Sequence, residues 1–186
     1  MKSMLIPALL LASGISLATA ACSKNDSTRD TNATATDTAT PTAAATEDHA
    51  SQFLMDVIQT NNAEIKFGQA ALAQGSTQAV RDYGKMLVDD HTKANEEATK
   101  LAQSMNVAAP TGVKPDDMAA YNMATGMSGA GFDKDFLADM AKGHQAAIDK
   151  FQQEADSGDP APVTDFAKQT LPTLKKHLET AQSLQK

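Results

Sequence analysis

From about residue 48 onward, apolar side chains recur at steps of three and four along four separate stretches. The first runs from about Asp48 to Gln74, with Leu54, Ile58, Ile65 and Leu72 in register and Phe53 and Val57 beside them. That spacing puts one apolar face on a helix. Gly75 ends the pattern, and Ser76 is placed to cap a second helix. This second stretch, about Thr77 to Met105, carries Val80, Gly84, Leu87, His91, Ala94, Ala98, Leu101 and Met105, every step three or four, as in a bundle seam. A third helix is predicted from about Phe132 to Ala155 (Leu137, Met140, His144, Ala147, Phe151), stopped by Gly158-Asp159-Pro160. The fourth, about Ala161 to Leu184, carries Val163, Ala167, Thr170, Leu174, His177, Ala181 and Leu184. Pro172 lies inside it, removes one backbone hydrogen bond, and is expected to kink the helix near Lys168 to Leu171.

Residues 106–131 break the regularity with Pro110, Gly112, Pro115, Gly126, Gly129 and Gly131. A short helix from Pro115 to about Thr125 is expected within them, its proline at a favourable first-turn position. The segment is too long for a tight turn and long enough to cross a bundle. The fold class is therefore all-α: a ferritin-like four-helix bundle, two helical hairpins joined by a long crossover that contains a short helix. Composition agrees, since aromatic residues make up only 4% of the 186 residues and there is no Trp.

The bundle domain is expected over residues 47–186. Ahead of it, residues 1–21 read as a secretory signal, with Lys2 followed by an apolar run from Met4 to Leu17. That run is too short to span about 30 Å of hydrocarbon as a helix. Ala18-Thr19-Ala20 suits ordinary cleavage before Ala21, whereas Thr19-Ala20-Ala21-Cys22 resembles the bacterial lipobox, departing from it at Thr19, where Leu is usual. Cys22 is the sole cysteine, so it cannot form an internal disulfide, and it stands where a lipoprotein needs it. Lipidation at Cys22 is the expectation, with the membrane as partner through that lipid. Ser23 after the cysteine resembles an outer-membrane sorting signal, which places the domain in the periplasm. Residues 22–46 hold no Leu, Ile, Val or Phe and read as a disordered tether.

The net charge is −7, from 16 Lys and Arg against 23 Asp and Glu. An acidic chain whose longest basic run is Lys175-Lys176 argues against nucleic acid and anionic lipid surfaces as partners. Protein partners are not indicated. No phosphate-binding loop or nucleophile arrangement is present, so no catalytic residue is assigned.

Candidate chemistry lies on the stripes themselves. His91, His144 and His177 each sit mid-stripe where a helix would bury a leucine, and Glu64 intrudes on the apolar side of the first helix. By rise per residue they fall at similar depth. Imidazole and carboxylate are ligands of zinc, iron, manganese and copper, so Glu64, His91, His144 and His177 form a candidate shell for a single transition-metal ion. The same four would serve equally as a buried polar network without metal, and that alternative stands. The di-iron signature of bundles, Glu-x-x-His on two helices, is absent: positions three before the histidines are Val88, Ala141 and Leu174. Asp89, Asp90 and Asn95 could orient the His91 ring, although a solvated helix edge is the simpler reading. Met118, Met123 and Met127 on the crossover read as gap-filling core rather than soft-metal ligands. His49 carries no comparable signal.

Met86-Leu-Val-Asp-Asp-His-Thr-Lys-Ala-Asn95, Leu171-Pro-Thr-Leu-Lys-Lys-His-Leu-Glu-Thr-Ala181 and Asn62-Ala-Glu-Ile-Lys-Phe-Gly68 resemble segments of the bacterial envelope family called domain of unknown function 4142. The resemblance covers about residues 50–184. It implies an exported, often lipid-anchored, ferritin-like bundle, with Glu64, His91, Asn95, His144, Pro172 and His177 at matching positions. It implies no reaction. The leading expectation is a non-enzymatic, stress-related envelope protein whose polar core residues specify packing. The rival is a metal-binding or oxidant-handling protein built on the same four residues.

Overall fold

The computed structural model describes residues 43–186, so the expected signal, Cys22 and most of the expected tether lie outside the described residues. Five helices follow in order: α1 (Ala43–Gln74), α2 (Gln78–Ser104), α3 (Pro115–Thr125), α4 (Ala130–Ala155) and α5 (Ala161–Leu184). The described residues contain no strand, and the fold is all-α. α1 starts ahead of its apolar stripe because Ala43, Ala44 and Ala45 are the best helix formers available. None of the described helices is long and apolar enough to cross a membrane.

The helices pair as two hairpins, α1 with α2 and α4 with α5, and the hairpins meet along α2–α5 and α1–α4. Two apolar clusters show the directions. One gathers Phe53, Leu54, Ile58 and Ala98 with Phe151 and Val163, from the start of α1, the end of α2, the end of α4 and the start of α5. The other gathers Phe67, Tyr83, Leu87 and Phe136 with Ala124 and Ala181 at the opposite end. Neighbouring helices are therefore antiparallel, and residues 105–129 must travel the length of the bundle to begin α4. α3 rides on that crossover against α1 and α4, with Tyr121 edge-on to Phe67 at 5.5 Å. α5 continues through Pro172 as one helix.

Local chemistry fixes the corners. Thr77, not Ser76, caps α2, its hydroxyl accepting from the Val80 amide at 3.2 Å. Ser76 instead donates its backbone N–H (2.9 Å) and its hydroxyl to the Asp133 carboxylate, tying the α1–α2 corner to the start of α4. At the other end His49 Nδ1 lies 2.6 Å from Asp159 and 3.5 Å from Glu154. Glu154 is 1% exposed, and neither of its carboxylate oxygens accepts a hydrogen bond.

That last cluster makes stability pH-dependent. Burial, reinforced by Asp159, pushes the Glu154 carboxyl up to about 7. The hydrogen bond to Asp159 raises His49, against the effects of burial and Lys150. Both groups hold their protons more tightly folded than unfolded. Their contribution is complete below the unfolded values and is lost as pH rises through the folded ones. Between about pH 5 and pH 8 the metal-free wild type should therefore lose melting temperature relative to Glu154→Gln, and the gap should widen with pH. A gap that stays constant across that range would show that the buried carboxyl does not titrate there.

Candidate metal centre

Between the two apolar clusters lies a polar layer to which every long helix contributes. α1 supplies Asn61 and Glu64, α2 supplies Asp90 and His91, α4 supplies His144, and α5 supplies His177. The stripes put these residues inside because the flanking positions on each helix are apolar and compel that face inward. The three histidines are 4%, 1% and 0% exposed, deeper than a solvated imidazole would choose. Their ring centroids are 5.1 to 5.6 Å apart.

The outer nitrogen of each ring is held by an acceptor. His144 Nδ1 donates to the Met140 carbonyl at 2.8 Å, and His177 Nε2 donates to the Asp90 carboxylate at 3.1 Å. His91 Nδ1 donates to Asn61 Oδ1 at 2.9 Å. A neutral imidazole carries one N–H, so each inner nitrogen is left with a lone pair. Those inner nitrogens face one another: His91 Nε2 to His144 Nε2 at 3.4 Å, and His144 Nε2 to His177 Nδ1 at 3.2 Å. Turning the Asn61 amide over would supply a proton to the first contact. It cannot supply one to the second, because a carbonyl and a carboxylate fix both of those rings.

Two lone pairs at hydrogen-bond distance repel unless a cation lies between them. A proton there would put a positive charge in a buried layer, which is costly. Burial, and then the charges of His144 and His177, hold His91 well below the ordinary imidazole value. Burial lowers His177 to about 4, although Asp90 pulls the other way. A metal ion fits better: tetrahedral bonds of about 2.0–2.1 Å to nitrogen separate the ligand atoms by about 3.3 Å. Outer N–H groups anchored on a carboxylate, a carbonyl and an amide are also how metal-binding histidines are aimed.

Of the four residues expected as ligands, the structure brings three together. The close donor group is His91, His144 and His177, and the Glu64 carboxylate lies outside it on the wall of the same cavity. Glu64 is 6% exposed, its carboxyl is raised by burial against the pull of His144, and Oε2 has no hydrogen-bond partner. Asp90, read as a solvated edge, orients His177 instead of its neighbour His91. Asp89 does lie at the surface, paired with Lys85 at 2.6 Å. Asn95 donates to Asn62 at 3.0 Å rather than to the ring. Asn61 was missed, although it sits one helical turn before Glu64 on the same face. Among the crossover methionines, Met127 packs on the second apolar cluster while Met123 is 69% exposed.

A family model described as Domain of unknown function (DUF4142) matches residues 35–184, most of the chain. The chain belongs to that family. Neither the curated proteins nor the solved structures gave a match. The DUF4142 description carries no reaction, so the histidine cluster has to be interpreted from its own geometry. Glu64, His91, His144 and His177 all lie within the DUF4142 match, as does the whole polar layer.

Proposed function

We propose that this chain is an exported, lipid-anchored helical-bundle protein that holds one transition-metal ion at His91, His144 and His177. One observation carries the metal reading. His144 Nε2 and His177 Nδ1 are two acceptors 3.2 Å apart, each made an acceptor by the group that holds its ring's other nitrogen. A buried network without metal would need a second proton on one of those two rings, a charge that this buried layer makes costly. Three neutral imidazoles suit zinc, copper, iron or nickel rather than magnesium or calcium. With Glu-x-x-His pairs absent and one donor cluster in the polar layer, a single ion is favoured over a bridged pair.

Equilibrium dialysis of the metal-free mature chain against Zn²⁺ should load one equivalent into the central site, and a double variant, His91→Ala with His177→Ala, should lose it. Binding that does not depend on those residues would sink the reading.

Export and anchoring rest on Lys2, the apolar run from Met4 to Leu17, and Cys22 within Thr19-Ala20-Ala21-Cys22. On this reading the bundle stands in the periplasm on a tether from the outer membrane. Cys22→Ala should move the protein from the membrane fraction to the soluble periplasm. Continued retention would refute the lipid.

A further inference from the structure

The three histidines leave a tetrahedral ion one position short, and the cavity around them has features that say what could fill it. Among the described residues no fourth carboxylate, thiolate or imidazole joins the close donor group. The cavity is about 250 Å³, against the ~10–15 Å³ that one water needs. Two buried polar atoms on its wall have no partner: Asn61 Nδ2, a donor, and Glu64 Oε2, an acceptor. Asn61 and Glu64 stand three residues apart on α1, which places them on one helix face. The wall also carries apolar Val57, Ala147 and Leu174, with Asp56, Asp117 and Lys150 among its charged residues.

We infer that the central ion keeps an open coordination position for a small oxygen ligand that carries a proton, to which Asn61 Nδ2 donates and from which Glu64 Oε2 accepts. Water is the smallest member of this class, and short hydroxamic acids, which keep an N–H when bound, are larger ones that the cavity admits. An anion without a proton, such as thiocyanate, offers nothing to Glu64. This inference rests on the metal reading above and goes beyond it: a storage or purely structural site would have no use for a donor and an acceptor beside an open position. Glu64 is thereby a ligand-positioning residue, not a metal ligand.

The test uses the mature chain loaded with Co²⁺, whose visible absorption reports its coordination. Acetohydroxamic acid should shift the bands of the wild type. Glu64→Leu should weaken that response about tenfold, the loss of one hydrogen bond with its partner left unsatisfied in a buried site. The Co²⁺ affinity of that variant should stay within about threefold, and its thiocyanate affinity should be unchanged, since that anion has no proton for Glu64 to accept. Glu64→Gln, which keeps an acceptor oxygen, should recover most of the acetohydroxamate response. Glu64→Ala carries the same comparison should the leucine variant not fold. Bands that ignore acetohydroxamate in the wild type would overturn the open position. Equal weakening of both ligands, or of neither, would overturn the role of Glu64. Absence of any histidine-dependent Co²⁺ spectrum would instead overturn the metal reading itself.

Discussion

His144→Ala should abolish the stabilisation that Zn²⁺ gives the wild type. At a free ion concentration one hundred times its dissociation constant, a ligand that binds only the folded state adds about 2.7 kcal/mol. For a domain of this size that is a rise of roughly 8 °C in melting temperature. His144 is the decisive position because it contacts both other rings, at 3.4 and 3.2 Å, so removing it leaves two donors that do not otherwise bond one another. The metal-free variant should fare differently. Removing the ring relieves the facing lone pairs, which offsets part of the cost of an enlarged polar cavity, so the metal-free melting temperatures should lie close together. Differential scanning fluorimetry with and without Zn²⁺ separates the two effects. A variant that keeps the full metal-dependent rise would show that the ion binds elsewhere.

The second large effect lies where α1 and α2 touch backbone to backbone. A Cβ added at Gly84 would stand 2.7 Å from both the Ala71 Cβ and the Gly68 carbonyl oxygen. A Cβ at Gly68 would meet the Gly84 carbonyl at 2.6 Å and Val88 Cγ2 at 2.9 Å. In an exposed helix interior, Gly→Ala stabilises by roughly 0.5–1 kcal/mol. Here the obstacles are mainly backbone, which cannot swing aside as a flexible side chain would. Overpacking costs typically about 1–3 kcal/mol and more when helices must part. The clash should win, with Gly84→Ala losing about 2 kcal/mol in urea unfolding and Gly84→Val failing to accumulate as folded protein. Because Gly68→Ala strains the same contact, the double variant should lose less than the sum of the two. A stabilised Gly84→Ala would mean that the hairpin is looser than described. The same parting of α1 from α2 would carry Asn61 away from His91, so metal affinity should fall with stability.

Much of this was legible in the sequence. Most helical boundaries followed from glycine, proline and the phase of the stripes, and α3 starts at Pro115 and ends at Thr125, as the crossover chemistry suggested; α1 instead begins at Ala43, within the expected tether. The depth of His91, His144 and His177 was also readable, because each lies mid-stripe on its own helix, with Leu87 and Ala94, Met140 and Ala147, and Leu174 and Ala181 three or four residues away. The partners were not readable. Asp90 was weighed as a partner for His91, its neighbour in sequence, and it turned out to hold His177, on α5. Asn61 reaches across to α2, and His49 finds Asp159 at a separation of 110 residues. A hydrophobic stripe reports which face a helix buries. It does not report the rotation of a neighbouring helix, which decides whether an adjacent polar residue meets a ring or the solvent. Ser76 is a similar case: its sequence position suited a cap, but its hydroxyl was taken by Asp133 on another helix. Tautomers were out of reach for the same reason, since they depend on which acceptor holds each outer nitrogen.

Whether the three inner nitrogens share an ion decides what this bundle does. X-ray absorption at the zinc edge, on the mature chain loaded with one equivalent of Zn²⁺, tests that directly. The predicted spectrum is a four-coordinate site with three imidazole nitrogens at about 2.0 Å, marked by the outer-shell scattering of their rings, and one oxygen neighbour at a similar distance. That imidazole signal should vanish in His144→Ala. A spectrum dominated by oxygen ligands, or one unchanged by that substitution, would contradict it.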